Sequence, residues 1–471
     1  MRSISLLSLM LCLYCFSAVA QVNKAPVENA GTYFNGFQNS ENVDFLMYFS
    51  RKLAANPKYV GILQNLLNDE FAQEFIRSEP LAADVAKREK ASIRLKRSKL
   101  LLNRMASDTS KALAKAVQPL FFWTQVQDRE NNIEQQGKLT NAFLSAGLAG
   151  GDVYQNRSGR YALLIWQLIS KKPELKVLSN GLFDSVTRQL KENQVIVGLD
   201  TASRVALDKR AWYRYLYAYC SNVRAKGLSK QENAREAESL YKTAFDYSPD
   251  LTDRNHQSAY FYDAIFLTGE EKISFQEDYL QFVMAGQGNK SETLKALLTV
   301  ALTDPVYKGR LKEFYSAHFA NQEDFNSFWI NSINAGAKDG PIFSLNRMDG
   351  SAFSTKDNKG KWVLIDFWGT WCGPCRKEHP ELQKFYQSVS NDPGSGLVVM
   401  TIACRDTKAK VDSYMAENKY NFPVAMADNT VEKVCNIQGY PSKLLITPQG
   451  KYLLIPYGTD WVGFIKGYSS L

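Results

Sequence analysis

The chain has 471 residues, which exceeds what one hydrophobic core accommodates and points to more than one structural unit. Apolar residues make up 45% and charged residues 22%, so wholesale disorder is excluded. The formal charge of +9 is a mild excess over so long a chain, and with no aromatic–basic binding motif it gives no case for nucleic acid.

The first twenty residues differ in kind from the rest. Arg2 precedes an apolar run from Ile4 to Phe16, followed by Ala18-Val19-Ala20 before Gln21. A basic start, a short apolar stretch and small residues at a cleavage point read as a secretory signal peptide over residues 1–20. A membrane anchor is the alternative, but the run is shorter than the ~20 residues a spanning helix needs. Cys12 and Cys15 raise a lipoprotein reading, yet each follows a bulky residue, Leu11 and Tyr14. Export across the inner membrane, with a periplasmic location, is the expectation.

Residues 21–337 read as an irregular helical region. Trp212, Tyr215, Leu216, Tyr219 and Val223 fall on one helical face, as do Ala237, Leu240, Tyr241, Ala244 and Phe245. The stretches Ala206–Lys226 and Lys230–Tyr247 suggest an antiparallel helical hairpin that weakly resembles a tetratricopeptide unit, without a clean 34-residue period. The short apolar stretch Gln194 to Gly198 has no evident place in this pattern. Lys87 to Arg104 carries eight cations; it reads as the wet face of a long helix rather than a docking surface for an acidic partner. Cys220 sits on an aromatic face, where a cysteine acts as a small buried hydrophobe. His256 and His318 have no metal-ligand company in the sequence.

From about residue 338 the texture changes. Trp362–Trp368 and Leu397–Ala403 read as buried strands, Lys443–Thr447 and Tyr452–Tyr457 as further strands, and Cys375–Ser388 and Lys408–Lys419 as helices. Strand and helix alternate, so residues 338–471 form an α/β domain.

The chemistry concentrates in Trp371-Cys372-Gly373-Pro374-Cys375. Two cysteines two residues apart at a helix start can close a small disulfide. The helix N-terminus, with its unpaired N–H groups and dipole, favours a thiolate at Cys372. Such thiols have pKa values of roughly 3.5–7.5, and the thiolate is the nucleophile. Cys372 would attack a substrate disulfide, and Cys375 would resolve the mixed disulfide. The same spacing is half a zinc site, but His379 does not complete four ligands, and no metal is expected. No organic cofactor is expected either, because the sulfur pair carries the electrons.

The string Phe367-Trp368-Gly369-Thr370-Trp371-Cys372-Gly373-Pro374-Cys375-Arg376-Lys377-Glu378 resembles the thioredoxin superfamily, specifically its extracytoplasmic TlpA/ResA-like branch. Pro341-Ile342-Phe343-Ser344-Leu345 and Met348-Asp349-Gly350 are similar to that branch's entry strand and turn, and Gly439-Tyr440-Pro441-Ser442 to its cis-proline loop. The resemblance implies a thioredoxin fold, a central mixed sheet flanked by helices. It implies that Pro441 is cis, that the backbone of Tyr440 pairs with a bound substrate strand, and that Pro380 kinks the active-site helix. Threonine is common after this proline, and Ser442 departs from that. Asp366 matches the buried acid of cytoplasmic thioredoxins, and Glu378 the glutamate used in the extracytoplasmic branch. This chain has both, and Asp366 is favoured as the proton acceptor for Cys375, with a helix-surface charge or a salt bridge to a lysine the plainer role of Glu378. Cys404 and Cys435 either form a second disulfide or stand apart as small core residues. The expected activity is reduction of disulfides in client proteins, fed by a membrane thiol–disulfide electron donor. A disulfide oxidase or isomerase is the chemical alternative, and a peroxidase fits less well. An adaptor built on the helical region is the non-enzymatic alternative. The sequence leaves oligomeric state open.

Overall fold

A computed structural model describes residues 29–72, 85–128, 130–148, 153–194, 198–199, 202–229, 233–286, 289–319, 321–392, 394–428, 430–455 and 457–469. The signal-peptide reading, with Cys12 and Cys15, falls outside these residues, as does most of the stretch from Gln194 to Gly198. Two compact units divide between Tyr279 and Leu280.

The described part of the first unit is helical. Its core joins Tyr33 to Phe275 through a nearly continuous set of buried Leu, Trp, Tyr and Phe side chains. Helix α1 (Arg204–Ser229) and helix α2 (Ala234–Tyr247) form the expected hairpin. Arg214, early in α1, donates to the carbonyls of Asp246 (2.8 Å) and Ser248 (3.2 Å) at the far end of α2, which fixes the antiparallel sense. Cys220 is fully buried in this aromatic core, and burial pushes its thiol up to about 12.

The basic stretch lies on the helix Val85–Ala106. Four of its eight cations are paired inside the unit: Arg94 and Arg97 with Glu70, Lys99 with Asp128 and Arg104 with Asp44.

Arg160 and Asp263 are both buried, with two guanidinium–carboxylate hydrogen bonds of 2.8 Å. Trp212 Nε1 adds a third donor to Asp263 at 3.2 Å, and Asn68 accepts from Arg160. A buried pair of this kind is costly to break from one side, because the remaining charge is stranded.

The second unit carries the sheet. Its strands are β1 (Lys338–Asp339), β2 (Ser344–Asn346), β3 (Ala352–Ser354), β4 (Trp362–Trp368), β5 (Leu397–Ala403), β6 (Val424–Met426), β7 (Ser442–Ile446) and β8 (Lys451–Ile455). Six pair in the order β1-β8-β7-β4-β5-β6, and β2–β3 form a separate hairpin. β4 is buried on both faces along its whole length, parallel to β5 and antiparallel to β7. A strand covered on both faces reads as a continuous apolar run, which is why β4 and β5 are evident in the sequence. The short strands β1 and β6 give no such signal.

Three helices before the sheet belong to this unit: α3 (Lys290–Ala301), α4 (Lys308–His318) and α5 (Phe325–Gly336). The sequence changes texture near residue 338, but the compact unit starts earlier. Trp329 of α5 is buried, stacks on Tyr468 and donates to its carbonyl at 3.1 Å. Asn334 reaches Thr447 and Gln449 at the turn between β7 and β8. Helices α6 (Gly373–Ser390), α7 (Lys408–Asn418), α8 (Val431–Val434) and α9 (Trp461–Ser469) complete the unit. The architecture is a helical region followed by a thioredoxin-like mixed sheet flanked by helices.

Asp263→Ala is expected to destabilise the first unit by about 3–5 kcal/mol, since it strands the Arg160 charge. Urea unfolding followed by aromatic fluorescence, with reduction of the Cys372–Cys375 pair measured in parallel, separates a local loss in the first unit from general damage.

Candidate functional site

β4 delivers the chain to the site and α6 carries it away. Cys372 is the N-cap of α6, with extended backbone, and its Sγ accepts from the Cys375 N–H at 3.3 Å. Pro374 stands in the first turn, where a missing N–H costs nothing. Cys372 and Cys375 are joined as a disulfide. Cys372 keeps 4% of its surface exposed and Cys375 none, so an incoming partner reaches Cys372 first. Pro380 lies inside α6.

The loop before Cys372 is held at two points. Thr370 N–H donates to Asp406 at 2.6 Å, and Trp371 Nε1 donates to the Cys404 carbonyl at 3.1 Å. Trp371 is half exposed and packs edge-on against Tyr440, with ring centroids 5.3 Å apart. A side chain at Gly369 would run into Trp371 and lie 3.0 Å from the Cys404 carbonyl, so a glycine is needed there. The Tyr440–Pro441 peptide is cis. Tyr440 hydrogen-bonds Glu432, its ring lies 5.5 Å from the Arg405 guanidinium, and Arg405 pairs with Glu432 at 3.4 Å. Arg405 has φ +52°, a left-handed conformation that side chains other than Gly adopt at a cost.

A charge cluster joins β4, β7 and α6, and the sequence shows it only in part. Asp366 is buried in β4, directly across from Lys443 of β7. Lys443 is buried too; its Nζ is 3.2 Å from Asp366 Oδ1 and forms an ion pair with Glu378 of α6. Burial pushes Asp366 up to about 6, against the pull of Lys443. Burial works against the Lys443 charge, but Asp366 and Glu378 outweigh it and raise its pKa above the ordinary lysine value. Glu378 thus makes a salt bridge, and it shares that lysine with Asp366. The sequence reading passes over Lys443. The signal was a lysine two residues after Pro441, leading into the apolar run Leu444-Leu445-Ile446 and facing a strand with its own lone acid.

His379 is buried among Trp368, Tyr414, Tyr420 and Phe422. Its Nδ1 lies 2.9 Å from the Tyr414 hydroxyl, and burial lowers its pKa to about 4, so the ring is neutral. It is a packing residue.

The second disulfide considered for Cys404 and Cys435 is not formed. Both are free, buried thiols in one apolar cluster with Phe367, Ile402 and Val431, where they fill space as small hydrophobes. Burial pushes each up to about 12.

The comparisons agree with this geometry. Residues 337–452 match the family model described as AhpC/TSA family. The thiol-disulfide oxidoreductase ResA of Bacillus subtilis (strain 168) is 32% identical over 158 residues, which cover 33% of this chain and 82% of that protein. Through this domain the chain belongs to the thioredoxin superfamily. The thioredoxin-like protein YneN of the same organism is 31% identical over 25% of this chain and 69% of its own length. A thioredoxin-family thiol:disulfide interchange protein from Chlorobium tepidum TLS is 26% identical, covers 28% of this chain and 95% of its own, and has a TM-score of 0.26. The ResA-like similarity covers about a third of this chain or less; these matches leave the larger part of the helical unit uncovered.

Native protein treated with an alkylating agent is expected to take up no label at Cys220, Cys404 or Cys435, because each is buried and protonated at neutral pH. The same treatment in denaturant without reductant should label all three and leave Cys372 and Cys375 unmodified. Peptide mass mapping distinguishes this from a Cys404–Cys435 bond, which would leave those two unlabelled under both conditions.

Proposed function

We propose that the thioredoxin domain reduces disulfides in client proteins outside the cytoplasm. The observation that carries this reading is the pairing of a reachable Cys372 at a helix N-terminus with a fully buried Cys375 one turn away. That asymmetry assigns the two sulfurs different tasks.

In the reduced protein the Cys372 thiolate attacks one sulfur of a client disulfide. A mixed disulfide forms, and the first client thiolate leaves with the electron pair. Cys375 then loses its proton and attacks Cys372 Sγ. The Cys372–Cys375 disulfide closes and the second client thiolate leaves. Two electrons pass from the cysteine pair to the client, and the two thiol protons end in solvent or on the client thiols. Glu378 follows Cys375 by three residues on α6, which puts a carboxylate on the same helix face. The resemblance assigns the Tyr440–Pro441 loop to holding the client strand, and the ring contact of Tyr440 with Trp371, beside Cys372, supports that assignment.

The ResA-like similarity supports placing the domain in the extracytoplasmic branch, as does the leader-like start of the sequence. No helix among the described residues is long and apolar enough to cross a membrane. The Gly-Pro dipeptide between the cysteines favours the reducing direction, with a membrane thiol–disulfide donor restoring the dithiol. Two cysteines closed on each other also favour disulfide exchange over peroxide reduction.

The equilibrium reduction potential of the Cys372–Cys375 pair is the test. A value near or below about −250 mV is expected, as for thioredoxin-like reductants. A value of about −120 to −180 mV would reverse the direction and assign an oxidant or isomerase. A Cys372→Ser protein that exchanges disulfides as fast as wild type would remove the reading altogether. Cys375→Ser is expected to accumulate mixed disulfides with clients, which mass spectrometry identifies.

A further inference from the structure

The rim on the Tyr440 side of the disulfide carries charges that the exchange chemistry does not use. From Cys372 the surface passes over the half-exposed Trp371 ring to the Tyr440 ring, 5.3 Å away, and from there to the Arg405 guanidinium, a further 5.5 Å. Beyond these rings opens a groove of about 360 Å³, lined by Arg405, Glu432, Lys433, Asn436, Ile437 and Gln438. Two segments build it, the residues that follow β5 and the helix α8 with the turn after it. Each contains a residue held in the left-handed region, Arg405 at φ +52° and Asn436 at φ +51°. Backbone strain of this kind clusters at binding sites.

Two cations and one acid line the groove. The acid, Glu432, is already engaged: it accepts from the Tyr440 hydroxyl and lies 3.4 Å from Arg405 Nε. That leaves the groove with one positive charge in excess. The Arg405 side chain is 69% exposed, and Lys433 is exposed and pairs with no acid among the described residues. Gln438 donates to Asn436 Oδ1 at 2.8 Å, which leaves the Asn436 amide group as a further donor. Asp406, next to Arg405, does not line the groove; its carboxylate accepts from the Thr370 and Thr407 N–H groups.

We propose that this groove receives an acidic side chain of the client, several residues away from the client cysteine, and so favours clients that carry a negative charge at that place. The proposal rests on the thiol-exchange reading above and adds a specificity determinant to it. The occupant is a carboxylate carried by the client chain rather than a free anion. Exposed cations hold a free anion weakly. A carboxylate tethered to a chain already engaged at Cys372 meets them at an effective concentration of order mM. A basic client residue at the same place meets like charge and is disfavoured. Such pairs act on encounter and register more than on raw affinity. Arg376 and Lys377 are also exposed, just after Cys375. They add a general field that acts on an acid at any position, whereas the groove acts on a narrow window of positions.

The test uses the reduced full chain and ten-residue peptides with one cysteine, joined in a mixed disulfide to thionitrobenzoate. Attack of Cys372 on the peptide sulfur releases the coloured thiolate. Glu, Gln or Lys is placed in turn two to six residues from the cysteine, on either side. Each rate is divided by that of the same peptide with dithiothreitol, which removes the effect of the charge on the peptide's own reactivity. For wild type the ratio of kcat/KM for Glu over Gln is expected to reach about three- to fivefold, within a window of one or two positions on one side. Arg405→Gln and Lys433→Gln should each lower the ratio in that window. Lys433→Glu is the charge reversal at an exposed position away from the Tyr440 contact, and it should turn the preference toward the Lys peptide there.

A ratio that is the same at every position, or a Lys433→Glu protein with the wild-type preference, would overturn the groove while leaving thiol exchange intact. If wild type releases no thionitrobenzoate from any peptide, the thiol-exchange reading fails instead. The groove is then read from the backbone amide NMR shifts of residues 432–438 on titration with the cysteine-free Glu and Gln peptides; equal shifts with both overturn it on their own.

Discussion

Lys443 places an ammonium in a strand that continues as Leu444-Leu445-Ile446, and removing such a charge from water costs several kcal/mol unless the site returns it. Here the return comes from Asp366 across the ladder between β4 and β7 and from Glu378 on α6. The three charges tie the central strand, its antiparallel neighbour and the active-site helix together at one point. A two-residue shift of β7 against β4 would separate Lys443 from Asp366 and strand both. The register that opposes Asp366 to Lys443 also opposes Phe367 to Ser442, next to Pro441. The position of the cis-proline loop beside the disulfide thus depends on the same pairing.

Above the cluster, the reactive pair is framed by contacts that involve no sulfur. Trp371 is anchored to the end of β5, Thr370 to Asp406, and Tyr440 to Glu432 and Arg405. Arg405 adopts a left-handed backbone to bring its guanidinium over Tyr440. Exposed ion pairs contribute little to stability, about 0–1 kcal/mol. The strain at Arg405 is therefore better understood as the cost of shaping the rim around Trp371 and Tyr440 than as part of what holds the fold.

The parts of this arrangement that could be read from the sequence are those with local signatures. β4 and β5 are continuous apolar runs, and the two cysteines sit where a buried strand gives way to a helix. Asp366 is conspicuous because it interrupts an apolar strand. What could not be read are the pairings between distant segments. Lys443 is 77 positions after Asp366, and only the strand register brings them together. The same limit applies to α3, α4 and α5. Their sequence is helical like the region before them, and contacts between distant segments set their place: Trp329, Lys308 and Leu302 meet α9, and Asn334 meets Thr447 after β7. Cys404 and Cys435 present the converse case: two thiols that share a cluster without bonding, which spacing alone leaves undecided.

Whether Asp366 or Glu378 serves Cys375 therefore has a different form in the folded protein. Two carboxylates and one ammonium carry a net charge of −1. One added proton brings the trio to zero. Burial favours the neutral trio, which is why Asp366 titrates near 6 rather than in the ordinary carboxylate range. With groups this close, a measured pKa belongs to the set rather than to either acid. Asp366 is the inner end of that set and Glu378 its outer end. Lys443 couples the two, so a change of charge at either acid is felt at the other.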